Sequence, residues 1–198
     1  MIKSLNIHPN QELINACRRN DRKAQMMLYN NYYKAMYHTA KRILENAAEA
    51  EDVMQEAFID AFQKIGQLSD EASFGAWLKR IVINRALDVV KRGKVSQSYQ
   101  EMMKQELSEV DEAEEEDGDA HYRLFEVREA MKNLPKQYRI VLSLHLFEGM
   151  DHEEMAQILN LEYNNVKTKY SRARQRLLEE VKKLQNQHNN KEVWNVEN

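Results

Sequence analysis

An all-α fold is predicted by three features of the sequence. Its 198 residues include only five Gly and two Pro, too few for the many tight turns of a β-sandwich or barrel. The good helix formers Ala, Leu, Glu, Lys, Arg, Gln and Met are well supplied. Apolar residues recur at spacings of three and four, the period of helices that each bury one face.

Taken in order, residues 10–20 and 22–44 carry Leu13, Ala16, Cys17, Met27, Leu28, Tyr32, Met36, Ala40 and Ile43 at this spacing, which predicts two helices packed on each other. Residues 47–65 repeat the pattern with Val53, Ala57, Phe58, Ala61, Phe62 and Ile65, and Gly66 supplies a helix stop. Beyond the polar turn Gln67 to Ser73, a fourth helix runs through Phe74, Trp77, Leu78, Ile81, Val82 and Leu87 until Gly93. The spacing of Trp77 with Phe74 and Ile81 assigns its ring to the core rather than to a stacking surface.

A fifth helix spans about 121–133 and stops before Leu134-Pro135, because the residue preceding a proline avoids the helical basin. A sixth covers 135–148 and ends at Gly149. Asp151-His-Glu-Glu154 reads as a capping box that opens a short helix over 151–159. Asn160 to Glu162 form a tight turn, and a long helix follows from about 163 to 186. This is the layout of a helix-turn-helix, whose second helix enters the DNA major groove. On it Val166, Tyr170, Ala173, Leu177 and Val181 form the buried stripe. Asn164, Lys167, Thr168, Ser171, Arg172 and Gln175 take the opposite side, with side chains suited to base edges and phosphates. Asn165 and Lys169 lie at the margin, where phosphate contact is expected.

The net charge of −3 conceals a partition. Residues 1–98 carry +4 and residues 121–198 carry +2, whereas residues 99–120 hold one Lys against ten Asp and Glu. That acidic stretch lacks apolar periodicity and repels itself, so it is expected to be an extended, flexible linker between two helical domains. Positive charge clusters on one predicted helix of each domain: Lys79, Arg80, Arg85, Lys91, Arg92 and Lys94 in the first, Lys167, Lys169, Arg172, Arg174 and Arg176 in the second. The single cysteine, Cys17, excludes an internal disulfide and a Cys-based zinc cage, and is read as a small buried hydrophobe. The N-terminal residues contain no apolar run of signal-peptide or membrane-span length, so a cytoplasmic protein is expected.

Several motifs in order carry a resemblance to a known family. They are Leu28-Tyr29 with Tyr32-Tyr33, then Ala50-Glu51-Asp52-Val53-Met54-Gln55-Glu56-Ala57-Phe58, then Phe74-Gly75-Ala76-Trp77-Leu78-Lys79-Arg80 continuing to Ile83-Asn84-Arg85, with Asp88, Lys91 and Arg92 after it. In the second half they are Leu134-Pro135 with Tyr138-Arg139, Glu148-Gly149-Met150, Glu154-Met155-Ala156 and the run from Val166 to Arg174. With this order and spacing the chain resembles the extracytoplasmic-function (ECF) sigma factors, minimal members of the sigma-70 family that direct bacterial RNA polymerase to promoters.

The resemblance implies that sigma domain two occupies 10–95 and sigma domain four 122–186, joined by the flexible acidic linker over 96–121 and followed by a polar tail over 187–198. It implies that Glu51, Asp52, Gln55 and Glu56 bind the clamp of the largest subunit of core RNA polymerase, with the flap region as a second polymerase contact. An acidic and amide edge on a helix buried on its other side suits basic partner residues. The minus-ten promoter element would be taken as single strand, with the turn Gln67 to Ser73 receiving an extruded base and Lys79, Arg80, Asn84, Arg85, Asp88 and Arg92 holding the strand. The minus-thirty-five element would be read by Asn164, Lys167, Thr168, Lys169, Ser171 and Arg172. The partners so implied are core RNA polymerase, promoter DNA and an anti-sigma factor.

No cofactor, metal or small-molecule substrate is expected, and no catalytic residue. His145, Glu148 and His152 are the nearest approach to a metal triad, but Gly149 and the cap at Asp151 interrupt the helix between them. The alternative to a sigma factor is a helix-turn-helix repressor or response-regulator-like protein that binds DNA without polymerase. In such a protein the edge formed by Glu51, Asp52, Gln55 and Glu56 has no task.

Overall fold

A computed structural model describes the backbone of residues 9–69, 73–100 and 119–196, and the side chains of residues 11–69, 73–93 and 126–186. Every regular element among them is helical: α1 (Pro9–Arg18), α2 (Arg22–Leu44), α3 (Ala47–Lys64), a 3-10 turn (Ile65–Gln67), α4 (Phe74–Gln100), α5 (Asp119–Lys132), α6 (Lys136–Leu146), α7 (His152–Leu159) and α8 (Tyr163–Val196). The chain divides into two compact units, Met1–Glu106 and Leu107–Asn198. Most of the acidic stretch expected to be a linker, from Glu101 to Gly118, lies outside the described residues, as do Asp70 to Ala72 of the expected base pocket.

In the first unit α2, α3 and α4 pack on one another and α1 packs on α2. Local sequence sets the boundaries. Asn20 takes a left-handed φ of 60° at the end of α1, with Asn20 N bonded to Cys17 O at 2.9 Å and Asp21 N to Ala16 O at 3.1 Å. This is a Schellman stop, here built on Asn, which tolerates that basin. The next residue starts α2, as Asp21 Oδ1 accepts from Lys23 N at 2.8 Å and Ala24 N at 3.3 Å. Asn46 caps α3 in the same way, accepting from Glu49 N at 3.1 Å.

The core of this unit is Ile14, Leu28, Met36, Ala40, Ile43, Val53, Ala57, Phe58, Phe74, Leu78, Val82 and Ile83. Cys17 is buried as expected, 1% exposed, and burial with the nearby Asp21 charge pushes its thiol up to about 11. Met27, expected in the stripe, is instead 53% exposed, because the buried line of α2 passes through Ala24 and Leu28. Gly75 sits in the first turn of α4 directly against Tyr32: a Cβ there would lie 3.0 Å from Cε1 of the ring. Tyr32 in turn meets Phe74 edge-on at 5.4 Å, so the absent side chain sets how closely α4 approaches α2.

Two helix ends of this unit differ from expectation, and both concern glycine. Gly66 does not end α3 by a left-handed turn; the helix tightens into the 3-10 turn, closed by Leu68 N to Ile65 O at 3.3 Å and by Arg18 Nη2 donating to Leu68 O at 2.6 Å. Gly93 does not end α4, which continues to Gln100. Nothing approaches either Cβ position, so each glycine is carried in a helical turn at a propensity cost of about 1 kcal/mol relative to Ala.

In the second unit α5, α6 and α7 all pack on α8. Ala130, Met131, Leu134, Leu142, Ala173 and Leu177 form its core, with Val127, Tyr138, Tyr170, Val181 and Leu184 packed against them. Pro135 sits one residue before the first turn of α6. Arg139 Nη1 donates to the carbonyls of Lys132 at 3.2 Å and Leu134 at 3.1 Å, satisfying the free end of α5. α6 stops at Leu146, and Gly149 with φ 73° turns the chain toward α7. Helix α8 is longer than the sequence suggested, running through the expected tail to Val196.

Candidate polymerase and nucleic-acid surfaces

The acidic edge expected from the sequence is built on α3. Ala50, Val53, Met54, Ala57, Phe58 and Ala61 are buried, which turns Glu51, Asp52, Gln55 and Glu56 outward together. Gln55 Nε2 donates to Glu51 Oε1 at 3.1 Å across one turn. Ile59, 57% exposed, continues the edge by another turn, an apolar residue that the acidic pattern did not point to. Such an edge offers carboxylates and an amide on a rigid backbone, suited to cationic or hydrogen-bonding side chains of another protein.

Helix α4 presents Arg80, Asn84, Asp88 and Arg92 on one exposed arc at successive turns. Asp88 pairs with Lys91 at 3.6 Å, and Arg92 Nε donates to Asp88 O at 3.4 Å. Lys79 is half-buried beside this arc. Arg85 stands apart from the other expected strand contacts. Its Nε donates to Asp60 Oδ2 at 2.8 Å, its Nη2 lies 2.7 Å from the same oxygen, and its Nη1 pairs with Glu56. The guanidinium therefore faces α3. Trp77 is half-buried with its ring 6.1 Å from Phe74, a position between full core and open stacking surface.

The helix-turn-helix of the second unit is framed by local bonds. Asp151 Oδ1 accepts from Glu153 N and Glu154 N, both at 2.8 Å, and Glu154 Oε2 accepts from Asp151 N at 3.0 Å, which completes the capping box. At the other end of α7, Asn160 with φ 52° carries a Schellman pair, Leu161 N to Ala156 O at 3.0 Å and Asn160 N to Gln157 O at 3.3 Å. Both ends of the short helix are thus fixed, and the turn delivers the chain into α8 at a set angle.

On α8 the stripe runs as expected: Val166, Ala173 and Leu177 are buried, Tyr170 and Val181 half-buried. Asn164, Lys167, Thr168, Ser171 and Arg172 are exposed together. Thr168 Oγ1 donates to Asn164 O at 2.8 Å, which leaves its lone pairs outward. Lys169 is half-buried and donates to Gln137 Oε1 of α6 at 3.3 Å, so it leans on the scaffold beside the surface.

Beneath this helix lies an aromatic cluster that sequence spacing did not bring together. The His145 and His152 rings stack at 5.7 Å with 7° between planes, and both meet Tyr170 edge-on, at 4.6 and 5.1 Å. Tyr163 meets His152 at 6.2 Å. The break at Gly149 was expected to separate the two histidines; instead the turn folds α7 back and joins them. His145 Nδ1 lies 2.8 Å from Met150 O, which fixes the turn. Among the described residues no group of three or more His, Cys, Asp or Glu could hold a metal ion. Nor is any described helix long and apolar enough to cross a membrane.

Comparison with known proteins bears on both units. Residues 28–95 match the model of sigma-70 region 2, and residues 124–177 match that of sigma-70 region 4. The RNA polymerase sigma-H factor of Pseudomonas aeruginosa is 29% identical over 173 residues, covering 83% of this chain and 90% of that protein. The ECF RNA polymerase sigma factor SigW of Bacillus subtilis is 28% identical over 180 residues, covering 86% and 96%. Among solved structures, the sigma factor RpoE of Bartonella quintana, crystallised with the anti-sigma factor NepR, shares the fold with a TM-score of 0.59 at 23% identity, covering 79% of this chain and 96% of that one. With regions 2 and 4 falling in order on the two helical units, and relatives of the same length and kind, the chain belongs to the sigma-70 family of RNA polymerase sigma factors, in its ECF group.

Proposed function

We propose a division of labour between the two units of this sigma factor. The chain binds core RNA polymerase and directs promoter-specific initiation of transcription; the reading of a repressor acting without polymerase is not favoured. In the first unit, Glu51, Asp52, Gln55 and Glu56 take the clamp of the largest polymerase subunit, while Arg80, Asn84, Asp88 and Arg92, with Lys79 beside them, hold the minus-ten strand. In the second unit, which also meets the flap region, Asn164, Lys167, Thr168, Ser171 and Arg172 read the minus-thirty-five duplex and Lys169 steadies its border. The residues that divide in this way occupy domains at 10–95 and 122–186. An anti-sigma factor is a further partner, and the cytoplasm is the place of action. The protein is an initiation factor rather than an enzyme.

The observation that carries this reading is the pair of surfaces themselves. An exposed acid and amide edge on α3 and an exposed cationic, hydroxyl and amide face on α8 each stand opposite a buried apolar stripe. They suit a protein partner and a DNA groove respectively. Run-off transcription with purified core polymerase on genomic fragments tests it. The expected result is transcripts that start at a small set of sites and require both components. Binding of duplex operators by the chain alone as a dimer, with no polymerase-dependent transcript, would overturn it.

A further inference from the structure

The bridge between α3 and α4 gives Arg85 a task other than the one its charge suggests. A guanidinium carries its donors in a rigid fork, and all three of its nitrogens here are spent on carboxylates of α3. Asp60 is the anchor: it is largely covered, its side chain 23% exposed, and it receives both Nε and Nη2. Glu56 is the open end, its side chain 58% exposed, and it is engaged through Oε2 by Nη1. Glu56 and Asp60 lie one turn apart on the same side of α3, so without the cation between them two like charges would face each other. With it, the Glu56 side chain is held in place while its second oxygen remains open to a partner.

We propose that Arg85 is a positioning residue for polymerase binding rather than a contact to promoter DNA: anchored on Asp60, it sets the Glu56 carboxylate on the partner-facing edge before polymerase arrives. The inference rests on the reading of that edge as the polymerase surface. A long, flexible Glu left to itself is immobilised only when the complex forms, and that ordering weakens association; a Glu already pinned avoids it. The same geometry argues against a strand contact, since a phosphate would have to displace two carboxylates from the fork. Lys64, 4.0 Å from Asp60 Oδ2, is too far down α3 to replace Arg85 at Glu56.

The test uses the full chain with core polymerase and measures two quantities. One is the affinity for core; the other is the salt slope of promoter binding by holoenzyme formed at saturating core. Arg85→Ala is expected to weaken core affinity about three- to tenfold and to leave the salt slope unchanged. Arg85→Ala is expected to add little when Glu56 is already Ala, because the two residues act as one device. Asp60→Asn should follow Arg85→Ala in direction, and Arg85→Lys, which keeps the charge without the fork, should fall between it and the parent. Circular dichroism checks that each variant is folded, and Asp60→Asn carries the decision if Arg85→Ala is not. Unchanged or tighter core binding by Arg85→Ala, with a salt slope shallower by about one, would overturn the proposal and return Arg85 to the DNA. The doubly reversed Asp52→Arg/Glu56→Arg chain separates the two failures. If it loses core affinity while Arg85→Ala does not, only the positioning role falls; if it keeps core affinity, the reading of the edge falls and the positioning role with it.

Discussion

The α3–α4 surface of the first unit and the α8 surface of the second treat their charges in opposite ways. On the first, the side chains of the α3 edge are tied to neighbours before any partner arrives: Arg85 reaches across to Glu56 and Asp60, and Gln55 bonds to Glu51. On the second, Lys167 and Arg172 make no ion pair among the described residues, and the bonds on that face from Thr168 to Asn164 O and from Gln175 to Glu179 stay within the helix. Under the roles proposed above, the α3 edge would meet a protein and the α8 face a duplex, and each treatment of charge suits its partner. A protein partner offers fixed side chains, so a preset geometry lowers the ordering cost of association. A DNA duplex offers a dense line of phosphates with condensed counterions, so cations kept in water lose little by moving onto it.

The strongest way to break this comparison is charge reversal on the preset surface. Asp52→Arg with Glu56→Arg should abolish association with core polymerase while leaving helix content unchanged, because both residues lie away from the Val53 and Ala57 face. Pull-down with purified core and far-ultraviolet circular dichroism read the two outcomes. Cys17 sharpens the contrast by supplying a group of the first unit that the fold keeps neutral. Its folded value of about 11 stands above the ordinary 9.0, so between those pH values the unfolded chain gives up a proton that the native chain retains. Stability present below pH 9 is therefore lost as pH rises toward 11, by about 2–3 kcal/mol for this group. Urea midpoints of the parent and Cys17→Ala, compared from pH 8 to 11, should converge as pH rises.

On the open surface Arg172→Ala should weaken binding to the minus-thirty-five duplex by about 1–3 kcal/mol, with thermal stability and core affinity unchanged. A simultaneous loss of stability would mean that the residue is tied in as Arg85 is, and the comparison would fail. The smallest effect concerns the frame behind that surface. Asp151→Ala removes both amide contacts that the side chain makes, leaving the bond from its own backbone N–H to Glu154, and should cost the second unit about 1 kcal/mol in a denaturant titration.

What was legible in the sequence was what local chemistry determines. The capping box at Asp151 and Glu154 and the stripe from Val166 to Leu177 are set within one helix, and both appear as read. The exposed edge from Glu51 to Glu56 follows from the same periodicity. The glycines misled because they permit a left-handed stop without requiring it. Gly66 and Gly93 have open space around them and no neighbour that demands a turn, whereas Asn20 and Asn160 take positive φ where each closes a Schellman turn at a helix end. Contacts between distant positions were beyond such reading. Arg85 meets Glu56 from 29 positions away and Asp60 from 25, and nothing in a basic run shows which cation turns inward. The His145 and His152 stack depends on a turn that sequence presents only as an interruption.

Helix α8 has 34 residues, about 50 Å of continuous rod, and its packed side chains extend from Val166 to Leu184, with Gln185 bonded to the buried Glu126 of α5 at 2.9 Å. In mechanical terms the turns that carry Asn164 to Arg172 and the far end belong to one rod clamped along about its first two-thirds. Under the proposed role, a small rotation of the clamped segment on a duplex would be magnified into a displacement of the distal turns proportional to their distance from the clamp. A fluorophore placed near that end would act as the pointer of a gauge, reporting by its angle how α8 seats on one promoter and then on another.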